Sequence, residues 1–159
     1  MPCCMFTFHG YGTWWPDHPR GYVQKGKGVL PSDPEMGERY RDNAKFDPVR
    51  FDRAKQQVVV DAVREVFERL GIRLHYAITV STHAHAVVSW TGGYTWEEVH
   101  DRIKRICGLK LARFMKTKGR PWFSEGRDSN RVKDRRHFEH LMTKYLPNHR
   151  GVTWNERKP

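Results

Sequence analysis

The 159-residue chain has no apolar run long enough to cross a bilayer, and nothing at its N-terminus is laid out like a secretory signal. Its three cysteines, Cys3, Cys4 and Cys107, make neither an even disulfide set nor the paired spacing of a zinc framework. A reducing cytoplasm is therefore the expected compartment. Internal repeats and low-complexity stretches are also missing. Acidic residues are the remaining shortage: 18 Asp and Glu stand against 29 Lys and Arg, giving a net charge of +11 and a pI near 9.9.

That imbalance points to a polyanionic partner, because phosphate backbones reward a cationic surface through counterion release. The excess is concentrated: Arg102 to Arg150 holds 15 Lys and Arg but 4 Asp and Glu. Aromatic residues make up 13% of the chain, including six Trp, and flat rings of this kind can stack on bases as well as fill a core. The length fits one domain, residues 1–159, with a single core.

Taken in order, Cys4–His9 reads as a short strand with Phe6 and Phe8 on one face and Thr7 and His9 on the other. A long irregular insertion comes next at about 11–48, dense in Gly, Pro and aromatics and carrying Trp14, Trp15, Arg20, Lys25, Lys27, Arg39 and Arg41. Such a segment suits a nucleic-acid-contacting arm and equally a loop pinned by its own tryptophans. From Asp52 to Leu70 the recurrence of Val59, Ala62, Val63, Val66, Phe67 and Leu70 predicts an amphipathic helix stopped by Gly71. Ile72–Ser81 and the segment from His83 read as two strands joined by a tight Ser-Thr turn.

Thr95 and Glu98 form a capping box, with Tyr94 and Val99 as a hydrophobic staple, and open a second helix expected to run to Gly119. Its exposed side presents Arg102, Lys104, Arg105, Lys110, Arg113 and Lys116, a solvated face or one that tracks phosphates. Pro121–Gly126 and Asn130–Lys133 suggest a fourth strand broken by a bend. A third helix begins near Asp134 with the stripe Phe138, Leu141, Met142, Tyr145, and should end or kink at Pro147. Gly151–Pro159 reads as a polar tail apart from Val152 and Trp154. The order of elements predicts an α+β, ferredoxin-like (RRM-like) βαββαβ sandwich with an added C-terminal helix carrying the tyrosine.

The chemistry centres on His83, Ala84 and His85. On a strand the two imidazoles share a face, where they could chelate one divalent ion or simply sit on the wet side of a half-buried strand. Tyr145 taken alone continues an apolar stripe. His149, four residues later, would share its side of a regular helix. If that helix covers the open sheet face, three histidines and a phenol converge, and they could supply a Lewis acid and a covalent nucleophile.

His83-Ala84-His85 resembles the His-hydrophobe-His motif of the HUH single-strand endonucleases, and the run YLPNH from Tyr145 to His149 resembles the single-tyrosine block of their transposases. Tyr11–Trp14 through Arg20–Gly21, Leu74–Ser89 and Trp122–Gly126 are similar to blocks of the REP-associated tyrosine transposases. The resemblance implies a metal-dependent single-stranded DNA endonuclease and strand transferase forming a 5′-phosphotyrosine. It makes Tyr145 the nucleophile and His83, His85 and His149 ligands of Mg²⁺ or Mn²⁺. Its implied partner is single-stranded or hairpin DNA of the nucleoid, with no membrane contact and with monomer and homodimer both open. Ala84 is smaller than the Val or Ile usual in the motif, and Ser-Thr precedes His83 where Pro-Asn or Thr-Asn is frequent.

Trp14, Arg20, Lys104, Arg105, Arg127, Arg131 and Lys144 are the residues expected to face DNA. His9, on the strand beside His83, could be a further ligand, a base, or a structural or DNA-facing residue. The competing expectation is a non-catalytic RRM-like module that binds single-stranded nucleic acid through aromatics and Lys/Arg. A rolling-circle initiator would need further domains.

Overall fold

Strand β5, His83–Ser89, is the axis of the fold, and every residue of it after His83 is buried. It is flanked by β1, Cys3–His9, and β4, Arg73–Thr79, in a five-stranded sheet completed by β6, Asp128–Arg131, and β7, Val152–Asn155. The strand order is β6-β1-β5-β4-β7, antiparallel throughout. The coordinates, a computed structural model, describe residues 1–24 and 26–158; Lys25 of the expected arm and Pro159 of the tail lie outside the described residues.

Alternation along the strands sends two sets of side chains to two faces. Phe6, Phe8, Ala84, Ala86 and Val88 meet helices α2, Arg53–Leu70, and α3, Trp96–Phe114, in the larger core. Met5, Tyr76, Ile78 and Val87 point the other way and meet the C-terminal helical segment through Leu141, Met142 and Leu146. This is the expected α+β sandwich, with β5 central.

Helix α2 forms because its apolar residues return every three to four positions: Val59, Ala62, Val63, Val66 and Phe67 are all buried. Each buried Val or Phe contributes roughly 1.5–3 kcal/mol, so together they outweigh an N-cap at about 0.5–2 kcal/mol. The Asp52 carboxylate nonetheless caps it by accepting from the Lys55 N–H, and Gly71 closes it at φ 65°. In α3 both halves of the Thr95–Glu98 capping box are present. The helix stops at Phe114, five residues short of the expected glycine. Lys116 takes a left-handed φ of 52°, and Thr117 and Lys116 return their N–H groups to Ala112 and Arg113. The termination is a Schellman closure on lysine, which composition alone does not announce because glycine is the usual residue there.

Three other expectations are corrected. The segment at 11–48 is not irregular throughout. It holds the hairpin β2, Tyr22–Gln24, and β3, Gly28–Leu30, and helix α1, Pro34–Asp42, capped by Asp33. The tail is an edge strand: Val152 and Trp154 alternate onto α2 while Thr153 is exposed, so two apolar residues with period two suffice. Gly151 permits this close entry, since a Cβ there would fall onto the Thr79 carbonyl oxygen. The fourth strand occupies 128–131 rather than 130–133, and the earlier segment contributes one bridge, Phe123 to Gly10.

His100 of α3 is buried in the larger core, stacked on Phe8 with ring centroids 4.7 Å apart. Burial holds its pKa below the ordinary value of 6.5. The unfolded chain therefore takes up a proton at this residue first as pH falls below about 6.5, and folding loses stability. In thermal melts between pH 7 and 5, His100→Leu is expected to flatten the decline of the wild type. An unchanged slope would remove this residue as its source.

Candidate metal centre and tyrosine site

The β1–β5 register sets Thr7 opposite His85 and His9 opposite His83, so these four side chains share the open face of the sheet. The Thr7 hydroxyl lies 3.0 Å from His85 Nδ1, and the Thr82 hydroxyl 2.8 Å from His83 Nδ1. With Nδ1 so engaged, each ring is oriented to present Nε2. His85 Nε2 is buried and has no hydrogen-bond partner among the described residues.

The other half of the site comes from the C-terminal helical segment. Helix α4, Arg135–His140, is capped by Asp134 and passes into a π turn over Leu141–Tyr145 and a 3₁₀ turn over Leu146–Asn148. The Leu146 N–H reaches back to the Leu141 carbonyl, five residues away. Pro147 has no N–H to continue the α ladder, and the widened turn rotates the chain beyond it. Leu146, not Tyr145, therefore completes the buried stripe: Leu146 is fully buried while Tyr145 is 39% exposed. The expectation from uniform helical spacing that Tyr145 continues the apolar stripe is corrected on this point.

His149 lies just past the 3₁₀ turn in extended backbone rather than on a regular helix. Its ring is nevertheless 4.9 Å from that of Tyr145. His149 Nδ1 donates to the Tyr145 carbonyl at 3.0 Å, leaving a lone pair on Nε2.

One ligand atom each from His83, His85 and His149 lies within 4.8 Å of the others. The ring centroids are 4.7 Å apart for His83–His85, 5.0 Å for His85–His149 and 5.7 Å for His83–His149. An ion about 2.1 Å from each nitrogen spans at most about 4.2 Å between them, so a small closure brings the set into range. Burial, with the neighbouring His9 and His149, pushes His83 down to about 4. Burial, with His83 and His149 beside it, pushes His85 down to about 3. Both rings are neutral at pH 7, the form in which imidazole is a ligand. The buried unpartnered nitrogen and the all-imidazole donor set both fit a divalent transition metal. They fit Mg²⁺, which prefers oxygen ligands, less well.

His9 is not part of the three-histidine cluster. Its Nε2 lies 3.3 Å from an Asp128 carboxylate oxygen, and this bond holds the Asp128 carboxyl below its usual range. Trp14 approaches from the arm with its ring 5.0 Å from that of His9, its indole N–H bound to the Gly21 carbonyl and its face stacked on His18. Lys144 lines a pocket of about 320 Å³ with His140, Tyr145, Asn148 and His149. Arg20 is exposed on the arm and Arg131 on the sheet edge.

Lys104, Arg105 and Arg127 are not part of this face. The first two lie on α3, and Arg127 is held by both oxygens of Asp101 on the same helix. The fold thus divides the expected DNA-facing residues between two sides of the sheet. The residues that sequence reasoning did not single out are Thr7, Thr82, Asp128, His140 and Asn148. Of these, Thr7 carries a usable signal, since period two places it with His9.

Fold and site together define a ferredoxin-like α+β protein with a three-histidine cluster beside an exposed phenol. No protein-family model matches the chain, and no curated protein matches it. Among solved structures, that of a REP-associated tyrosine transposase bound to a REP hairpin is similar, with a TM-score of 0.49 at 8% identity. The match covers 88% of this chain and 61% of that one, so the chain spans about three-fifths of that protein's length. No helix among the described residues is long and apolar enough to cross a membrane.

The geometry generates two expectations. In metal-free protein, the His83 and His85 ring resonances are expected to hold their neutral shifts from pH 8 to 5.5 in NMR titration. Titration of either ring near 6.5 would contradict the burial. Thr7→Val, which removes the partner of His85 Nδ1, is expected to weaken Mn²⁺ binding by about 10–100-fold in calorimetry. Undiminished affinity would show that the ring needs no such support.

Proposed function

We propose that this chain is a metal-dependent single-stranded DNA endonuclease and strand transferase, with residues 1–159 acting as one catalytic domain. The observation that carries this reading is an exposed phenol beside three converging imidazoles, one of which has a buried, unpartnered nitrogen. His83, His85 and His149 would hold Mn²⁺ or a similar divalent ion. Bound there, the ion would withdraw charge from a non-bridging oxygen of the scissile phosphate.

Tyr145 is the nucleophile. Its Oη attacks phosphorus, the bond from phosphorus to the 3′ oxygen breaks, and the phenolic proton is lost to solvent as the leaving oxygen gains one. The products are a 5′-phosphotyrosine and a free 3′-OH. One phosphodiester replaces another, so a second 3′-OH can reverse the step and join strands without a nucleotide cofactor. Lys144 lies on the rim of the tyrosine pocket, where its ammonium can take a neighbouring phosphate. Trp14 offers an aromatic surface near His9.

With hairpin-flanked oligonucleotides and Mn²⁺, the wild type is expected to give a denaturant-resistant protein–DNA band. Tyr145→Phe should lose the band by at least about 100-fold while binding DNA normally. A persistent adduct in that variant would remove Tyr145 from its role. Binding with steep salt dependence but neither metal requirement nor adduct would instead favour the non-catalytic RRM-like module.

A further inference from the structure

On the opposite side of the sheet, α3 and residues 119–123 line a shallow, open groove of about 480 Å³. Its apolar lining is formed by the buried Trp122 and Phe123, by Ala112 and by the exposed Leu109. Trp122 is 94% buried, and its indole N–H has no acceptor among the described residues.

A second, independent feature is Gly108, in the interior of α3 and lining the same groove. Glycine weakens a helix interior relative to alanine. A Cβ at Gly108 would meet no other atom of the chain within 4 Å, so packing inside the protein does not demand it. The glycine leaves this stretch of the groove without a side chain.

Around the rim stand Lys104, Arg105 and Arg120, none in an ion pair among the described residues. Arg120 is fixed over the Trp122 ring, 5.0 Å from its centroid, and donates to the Asp47 carbonyl at 2.7 Å. Two of its five N–H donors are in use, which leaves others free. The one acid in the lining, Asp101, is already neutralised by Arg127. Apolar side chains and a cationic rim suit a nucleotide: base against the apolar surface, phosphate at the rim.

The groove also has a route to the metal cluster. Lys104 donates to the Gly126 carbonyl at 3.0 Å, and two residues later Asp128 bonds His9, beside His83. Gly126 lies two residues before the start of the edge strand β6, so the two sites border the same edge of the sheet. We propose that this groove is a second nucleic-acid subsite, taking one nucleotide unit of a single strand that rounds the β6 edge. The proposal shares the nucleic-acid partner of the enzymatic reading but not its chemistry.

Its test is fluorescence anisotropy with a labelled oligo(dT) of about 15 nucleotides, near the upper end of single-domain site sizes, in EDTA at fixed salt. Gly108→Gln places a side chain in the groove without changing charge. It is expected to raise Tm and weaken binding at least about fivefold, while Arg105→Gln should weaken binding and reduce the salt slope by about one. Should Gly108→Gln not fold, Arg105→Gln decides alone. Unchanged affinity in the folded variants, no binding by the wild type, or displacement of the oligonucleotide by equimolar dTMP would each overturn the subsite. Weakened binding in the groove variants with no wild-type adduct in Mn²⁺ keeps the groove and ends the enzymatic reading. Adduct formation with undiminished affinity in both variants does the reverse.

Discussion

The antiparallel register between β1 and β5 is the constraint on which the rest depends. It pairs His9 with His83 and Thr7 with His85, so a one-residue slip would send both imidazoles of the strand into the helix-covered core. The register is held by burial on both faces. Phe6 and Phe8 are locked under α2 and α3, while Met5 and Val87 are locked under the C-terminal helical segment. The hydrophobic effect thus sets the position of the polar site, and the hydrogen bonds that His85 and His83 make through Nδ1 to Thr7 and Thr82 refine ring orientation within it.

The other contribution is a local irregularity. A π turn over Leu141–Tyr145 and a 3₁₀ turn over Leu146–Asn148 carry the chain from the buried Leu141 and Met142 to His149. In a continuous α-helix the tyrosine would lie with the apolar residues. The proline and the widened turn instead let Leu146 anchor the segment while the phenol faces outward above the histidines. Anchoring and presentation fall to adjacent residues, 146 and 145, so neither side chain has to serve both purposes.

Much of this was legible in the sequence. The helix at 53–70, the capping box, the central strand and the shared face of His83 and His85 all arise from local periodicity and end chemistry, which act within a few residues. The features that escaped are those decided at a distance. The polar tail becomes a strand because β4 offers it an edge. The 11–48 segment folds because Trp14, Trp15 and Asp17 find partners in Gly21, Tyr40 and Arg41. The early stop of α3 escaped because lysine stands where glycine usually does. The division of the basic residues between two faces was invisible for a related reason: charge composition carries no direction.

His85 has a further implication. A desolvated ring nitrogen with no donor opposite it carries a penalty of about 1–3 kcal/mol, a sizeable part of a small domain's net stability. An apolar residue of similar shape would relieve it. Robustness and chelating ability therefore pull this position in opposite directions. A lineage drifting under pressure for robustness alone would be expected to trade the central imidazole away first, leaving the sheet intact and the phenol without its companion.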